Sequence, residues 1–525
     1  MPIIFALCLF GGMALADPAP PPAAGAPPGF DIWEYQVEGN SVLERRVIEQ
    51  TVYGFLGPAR SVDDVEKARE ALEKVYHDAG YQTVFVDIPE QDVQGGVVKL
   101  NVMEGKVGRL KVTGSRYFSL GRIRDQAPGL AEGSVPHMPT VQEQLTRLGE
   151  QSTDRNVTPV LRAGSTPGTL EAELKVKDEL PLHGSVEMNS RNTVNTGFTR
   201  LVAQVRYDNL WQMFHSASLQ FQTSPENPEE VEVWAGTYAM PIGENKTQLL
   251  FYGVGVSSST PITTAGALSV VGAGEIFGAR VVQPFGATER MFHSFMAGFD
   301  YKNFEQNLLL TGSDADQTPI MYVPFVLQYD GSRKWDSGAT SWNVGSVFHF
   351  RGLGDDEAVW TKKRLAARSD FIYWTAELKH RQELPGEFQL MGRVSGQLTS
   401  APLISNEQFS LGGTQTVRGY HETELLGDDG YNASLELYSP KLAPADWESV
   451  QSLRFLAFGD YGATWIRQAL PDEPVSQELL SAGAGLRFQF LKHIVGEFDW
   501  AYPFLATTDT PAGAQRVHFK VAYEF

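Results

Sequence analysis

Arg418, Glu436 and Asp460 are the side chains of this sequence best suited to act together. They lie in Val417-Arg418-Gly419-Tyr420, Ser434-Leu435-Glu436-Leu437 and Phe458-Gly459-Asp460-Tyr461-Gly462. Their chemistry is ionic clamping: an arginine fork fits a carboxylate through both oxygens, and the pair strengthens where water is ordered or excluded. Little else competes. No H-E-x-x-H, phosphate-cradling G-x-x-x-x-G-K-[ST] or G-x-S-x-G occurs, and Gly272-Ala273-Gly274-Glu275-Ile276-Phe277-Gly278 misses dinucleotide spacing by one residue, so it reads as strand glycines packing against neighbours. His421 and Glu422 are adjacent, which suits neither helical nor strand metal geometry, and they read as exposed loop residues. No catalytic residue, cofactor or metal is expected.

Such a clamp needs strands to aim it. Leu453, Phe455, Ala457, Gly459, Tyr461, Ala463 and Trp465 form one apolar face at period two, which turns Arg454, Phe458, Asp460, Gly462 and Thr464 to the other. Ala433, Leu435 and Leu437 likewise face away from Glu436. The same alternation runs through Leu480–Phe490 and through Val517, Phe519, Val521, Tyr523 and Phe525, opposed by Arg516, His518, Lys520 and Glu524. From His183 onward helical signals vanish, and about sixteen alternating stretches follow, each long enough for a tilted membrane strand of about 10 residues. No apolar run of about 18 residues follows the N-terminus, so helices do not span a membrane here. The fold expected is an all-β membrane barrel of about 16 antiparallel strands, with Arg418, Glu436 and Asp460 in its lumen. An even strand count returns the chain to the side where it entered.

The N-terminal third is organised differently. Residues 1–16 form an apolar stretch ending in an A-x-A pattern, a signal peptide that removes Cys8, the chain's single cysteine. Residues 17–30 are a proline-rich linker. Next come a strand at Tyr35–Gly39, a helix from about Leu43, and a helix from about Val62 with Val65, Ala68, Leu72, Val75, Tyr76 and Ala79 on one face, Ser61 as N-cap and Gly80 as its stop. Strands over Gln82–Ile88 and Val97–Met103 complete a βααββ order. The unit repeats: Leu110-x-Val112-x-Gly114 copies Tyr35-x-Val37-x-Gly39 at an offset of 75, and Leu174-x-Val176 copies Leu100-x-Val102 at an offset of 74. Two small α+β domains, 31–106 and 107–180, therefore precede a barrel over 181–525.

These parts resemble a known family. The βααββ repeats look like POTRA domains, the periplasmic modules of outer-membrane protein transporters. Phe409-Ser410-Leu411-Gly412-Gly413-Thr414-Gln415-Thr416-Val417-Arg418-Gly419-Tyr420, with Gly427-Asp428-Asp429-Gly430 and Ser434–Leu437, is similar to the loop-six region of two-partner secretion transporters of the TpsB type (ShlB, FhaC, HecB). Phe458-x-Asp460-x-Gly462 resembles the lumenal strand motif with which that loop pairs, and Thr196-Gly197-x-x-Arg200 and Ala501-Tyr502-Pro503 extend the likeness over nearly the whole mature chain. The resemblance implies that Arg418 anchors the loop through Asp460, with Glu436 as second partner and Gly419 allowing a tight tip. The alternative, that the trio only stiffens the wall, stays open. It also implies a C-terminal assembly signal at Tyr523 and Phe525 read by the barrel assembly machinery, an outer-membrane location, and export of an unfolded haemolysin- or adhesin-type exoprotein. The pore-occupying helix that FhaC-like members carry ahead of the first POTRA has no counterpart in the proline-rich stretch, so either the loop closes the pore or the channel is plugged differently.

Rival readings are a factor that inserts other barrels, which shares these motifs but usually carries more POTRA domains, and a passive porin, for which the repeats have no purpose. The formal net charge of -20 disfavours a nucleic-acid partner, since an acidic surface repels phosphate. Asp314-Ala315-Asp316 and Asp355-Asp356-Glu357 read as solvated loop tips.

Overall fold

The computed structural model describes residues 29–525, apart from 94, 244–246, 258–259, 263–267, 271–272, 307–317, 444–446, 448 and 472. The signal peptide expected over 1–16, the linker up to residue 28 and Asp314–Asp316 lie outside the described residues. The chain divides into two compact units, with the boundary after Asp178.

In the first unit the apolar stripe of helix Val62–Asp78 sends Val65, Leu72 and Tyr76 into a core shared with Ile48 and Val52 of helix Arg45–Tyr53 and with Val84, Val86, Leu100 and Val102 of the sheet. Ser61 caps that helix, its hydroxyl accepting from the Asp64 amide while the Asp64 carboxylate accepts from the Ser61 amide. Strand Glu34–Glu38 runs parallel to Val97–Glu104, which pairs antiparallel with Val84–Asp87. A two-stranded sheet, Phe30–Ile32 with Gly57–Arg60, adds to the expected βααββ order. At three and four residues, its strands are too short to show alternation.

The same plan recurs with strands Lys106–Thr113, Thr169–Asp178 and Arg155–Ala163 and helices Leu120–Asp125 and Met138–Glu150. One detail ties the copies together. Gly39 and Gly114 both take positive φ, +89° and +91°, and a Cβ on either would lie 2.2 Å or 2.3 Å from the carbonyl oxygen of Val102 or Val176. Only glycine permits both the conformation and the approach. Beyond each glycine a carboxylate gathers the turn: Glu104 accepts from the amides of Ser41 and Val42, and Asp178 from those of Arg116 and Tyr117. Burial alone would raise the Asp178 carboxyl, but hydrogen bonds from the Ser115 hydroxyl and these amides outweigh it and hold the group below its usual range.

The second unit is a closed antiparallel barrel of sixteen strands, counting Ile320–Tyr322 and Phe325–Trp335 as one strand interrupted at Pro324. Closure leaves no sheet edge, so the ladder satisfies the backbone groups, as a lipid-embedded wall requires. The sixteenth strand, Arg516–Glu524, pairs with the first, Leu182–Asn189. At the end of this seam Phe525 and Gly184 exchange backbone hydrogen bonds of 3.0 Å, and a Cβ on Gly184 would fall 2.3 Å from the Phe525 ring. Both chain ends of the barrel therefore lie on one rim. The opposite rim carries the longer connections, among them 349–371 and 400–428.

Outward and inward positions alternate as expected. On the thirteenth strand, Val450–Trp465, Phe455, Ala457 and Gly459 are exposed while Phe458, Asp460 and Gly462 are buried. Helix is not absent from this unit, however: Glu357–Lys363 forms one within loop 349–371. Seven residues are too few for a 3.6 period to register.

Candidate functional site

Loop 400–428 folds into the barrel, and its tip meets five consecutive strands, the twelfth to the sixteenth. Inward parity brings Ser434 and Glu436 of the twelfth strand, Asp429–Tyr438, against Asp460 and Phe458 of the thirteenth, with Ser434 in register with Asp460 and Glu436 with Phe458. Arg487 on the fourteenth strand, Ser476–Phe490, and Asp499 on the fifteenth, Ile494–Pro503, complete the lining.

Arg418 grips Asp460 as a fork. Its Nε donates to Oδ2 at 2.7 Å, its Nη2 to Oδ1 at 2.8 Å, and its backbone amide also donates to Oδ2 at 3.1 Å. Nη1 lies 2.7 Å from Glu436 Oε1 and 3.5 Å from Asp499 Oδ2. Ser434 Oγ donates to Asp460 Oδ1 at 2.6 Å and receives Nη2 at 3.2 Å. The guanidinium lies 3.5 Å from the Phe458 ring centroid, a cation–π stack. Asp499 is shared, since Arg487 holds both its oxygens at 2.7 and 2.8 Å, and Tyr438 donates to Glu436 at 2.6 Å. The side chains of Arg418 and Asp460 are almost wholly buried. Removing one partner of such a pair costs about 3–5 kcal/mol, because the other is stranded without water.

The residues flanking Arg418 and Asp460 shape the tip and its seat. Val417 and Tyr420 are buried in an apolar cluster with Leu411, Leu425 and Leu479. Gly419 takes φ +93°, and its amide donates to His518 Nε2 at 2.8 Å. The Tyr420 hydroxyl lies 3.1 and 2.9 Å from the carbonyl oxygens of Leu480 and Leu505. Phe458 stands over Gly483, where a Cβ would lie 2.4 Å from the ring, and Gly462 leaves room for Leu411. The space remaining around the loop tip is a polar pocket of about 390 Å³ lined by Arg393, Arg418, Glu436, Arg487 and Asp499 among others.

The structure thus brings together Val417, Arg418, Gly419, Tyr420, Glu436, Phe458, Asp460 and Gly462. Tyr523 and Phe525 lie apart, exposed at the seam. Sequence reasoning missed Ser434, Arg487, Asp499 and His518. The signal was there for Asp499: Glu497 and Asp499 alternate with Phe498 and Trp500 as Asp460 alternates with its apolar neighbours. Glu422 corrects the expectation of an exposed loop residue. It is buried, accepts from the Thr414 amide at 3.0 Å and pairs with Arg191 at 3.3 Å. In the Asp355–Glu357 stretch, Asp355 accepts from the Met321 amide at 2.8 Å and Glu357 from Ser369, so these acids hold local structure and are more than solvated tips. Gly274 and Gly278 pack as expected, a Cβ on Gly278 falling 2.2 Å from the Tyr252 ring.

A family model described as "Haemolysin secretion/activation protein ShlB/FhaC/HecB" matches residues 168–488, more than half of the chain, and one for "POTRA domain, ShlB-type" matches 30–105. The chain belongs to the ShlB/FhaC/HecB family. It is an outer-membrane translocator of two-partner secretion whose small N-terminal domains lie in the periplasm, and membership favours export over the assembly-factor and porin alternatives. It is 24% identical to the outer membrane transporter CdiB of Dickeya dadantii (strain 3937) over 77% of this chain and 71% of the relative. It is 22% identical to the heme/hemopexin transporter protein HuxB of Haemophilus influenzae (strain ATCC 51907 / DSM 11121 / KW20 / Rd) over 82% and 76%. In fold it is similar to CdiB from Escherichia coli (TM-score 0.59, 19% identity, 97% of this chain and 93% of that one). It is also similar to BamA from Haemophilus ducreyi lacking POTRA domains 1-3 (TM-score 0.58, 15% identity, 94% and 100%).

Proposed function

We propose that the Arg418–Asp460 clasp, with Glu436 as second acceptor, seats the tip of the inward loop in the position that transport of an unfolded exoprotein requires, the cargo being a large haemolysin or β-helical adhesin. The buried fork between loop and wall carries this reading. Apolar packing alone would hold a loop as firmly without stripping water from charges. An ion pair adds position, because only one seat matches the fork, and it adds reversibility, because water entering the lumen solvates both partners again. Val417, Gly419 and Tyr420 shape the tip, while Phe458 and Gly462 shape its seat.

The domains 31–106 and 107–180 are the receiving end. Their sheet edges take the cargo as an added strand, with main-chain bonds that tolerate any sequence. The barrel over 181–525 meets outer-membrane lipid through outward side chains such as Trp234, Phe277, Phe455 and Trp500, all exposed. Tyr523 and Phe525 at the seam serve as the signal that the barrel assembly machinery reads. Residues 1–16 act as a signal peptide and 17–30 as a linker. The test is export of a large exoprotein cargo, sought first in the gene neighbouring this one, in cells carrying Arg418→Ala or Asp460→Asn. A severe fall in secreted cargo at equal barrel levels supports the clasp as a transport element. Unchanged export with the folded barrel present reduces it to a wall brace.

A further inference from the structure

A second tie between loop and wall lies away from Arg418, on the seventh, eighth and tenth strands. Lys302 of the seventh strand, Met291–Gln306, donates to Glu407 Oε1 at 2.6 Å. Tyr373 of the tenth strand, Ile372–Glu383, donates to Oε2 at 2.8 Å, and Tyr322 of the eighth adds its hydroxyl. The Glu407 side chain is 1% exposed and that of Lys302 7%. These groups sit in an apolar mass that fills the inner face of the wall near the outer rim. Val233, Tyr252, Val254, Ile276, Phe304, Ile320 and Tyr373 come from the strands, Trp360 from helix Glu357–Lys363, and Leu403 and Ile404 from the arm of loop 400–428 that leads to Glu407. Trp360 packs edge-on against Tyr322 with ring centroids 5.1 Å apart.

The two loops are joined to each other as well. Arg364, just past the helix, grips Asp428 at the far end of loop 400–428 with both terminal nitrogens, one contact measuring 2.7 Å. The fully buried Asp428 also accepts from the amides of Leu403 and Arg467 at 2.8 and 2.7 Å. Lys363 donates to the carbonyl of Thr318 at 3.0 Å. Neither loop can leave the mouth without breaking contacts of the other.

We infer that helix 357–363 and the 401–408 arm form one plug, latched to the wall by Glu407 with Lys302, Tyr322 and Tyr373, and that this outer latch acts separately from the Arg418 clasp. Freeing Arg418 releases the loop tip and leaves the outer mouth closed. A passage wide enough for an extended chain requires Glu407 and Trp360 to leave their seats too. Apolar packing keeps the latch dry, and dryness keeps the Glu407 cluster tight, so wetting of the mouth releases both together.

The inference rests on the transport reading only for what finally passes, so its test uses ion current without cargo. The full chain is reconstituted in planar lipid bilayers, with folding checked by heat-modifiable gel mobility. Glu407→Gln is nearly isosteric but strands Lys302, and a charged hydrogen bond of this kind is worth about tenfold or more in the opening equilibrium. Glu407→Gln and Trp360→Ala are each expected to raise the frequency of large conductance events about tenfold, Arg418→Ala to change it much less, and Glu407→Gln with Arg418→Ala to hold the pore open. If Trp360→Ala does not fold, Glu407→Gln decides alone. The inference is overturned if folded Glu407→Gln conducts as the parent does, or if Arg418→Ala by itself reaches the conductance of the double variant. Loss of export with these currents as expected leaves the latch standing. Currents as expected with export untouched by Arg418→Ala overturn the transport role of the clasp and not the latch.

Discussion

Leu411 of the inward-folded loop rests on Gly462 of the thirteenth strand, so close that a Cβ at 462 would lie 2.9 Å from each of its two methyl carbons. The wall leaves out a side chain where the loop has one to place. Gly462→Val is therefore expected to lift the loop while the barrel still closes, since overpacking of this kind costs about 1–3 kcal/mol, less than a folded barrel can lose. Limited proteolysis near Gly412–Gly413 should rise several-fold, while bilayer conductance changes little because the outer latch still holds. Parental proteolysis in a folded variant would contradict the contact.

Arg418 and Asp460 lend themselves to a double-substitution cycle. Arg418→Met should lower the stability of the barrel in detergent by about 3–5 kcal/mol, because Asp460 is left buried and unpaired. Adding Asp460→Asn removes the stranded charge and should recover part of that loss. Export is expected to stay low in the double variant despite the recovered stability. Recovery of both in parallel, read by thermal unfolding and secreted cargo, would mean that the pair is a brace.

Asp178 makes the first unit acid-sensitive. Its carboxyl sits lower in the folded unit than in the unfolded chain, so the stabilisation it contributes is present above the unfolded value of about 3.9 and is lost as pH falls through the lower folded value. Asp178→Asn should flatten this acid limb and lower stability at neutral pH by about 1–2 kcal/mol through weaker hydrogen bonds to the amides of Arg116 and Tyr117. Unfolding of residues 29–178 followed by circular dichroism from about pH 7 to about pH 2 checks both.

The seam offers a fourth test. Gly184→Val would thrust a side chain into the Phe525 ring and disturb the paired backbone bonds between those residues. The expected result is a several-fold smaller amount of heat-resistant, folded barrel in the membrane fraction at equal synthesis. Normal amounts would show that the seam tolerates displacement of Phe525.

Much of this molecule was legible because the physics that shapes it is local. Period two on Val450–Trp465 set Phe458, Asp460 and Gly462 inward without knowledge of any partner, and the repeat of Val37 and Gly39 at Val112 and Gly114 announced two like domains. What escaped was what distance in sequence conceals. Lys302 and Glu407 are 105 residues apart, and Arg364 and Asp428 are 64 apart, with no periodicity linking them. Helix Glu357–Lys363 is held by the burial of Trp360 in a barrel mouth that a linear reading does not contain. Glu422 misled for a related reason: a charged loop residue is ordinarily solvated, and this loop points inward.

The backbone amide of Arg418 has a consequence for how the site can fail. Four hydrogen bonds converge on Asp460, from the Arg418 amide, its Nε, its Nη2 and the Ser434 hydroxyl, and only two of them belong to the arginine side chain. The Ser434 bond joins wall to wall, so without the arginine side chain only the Arg418 amide still ties the tip to Asp460, whereas without Asp460 the guanidinium keeps Glu436, Ser434 and Asp499. Damage at position 418 should accordingly loosen the tip more than damage at 460, an asymmetry that pairwise language about a salt bridge conceals.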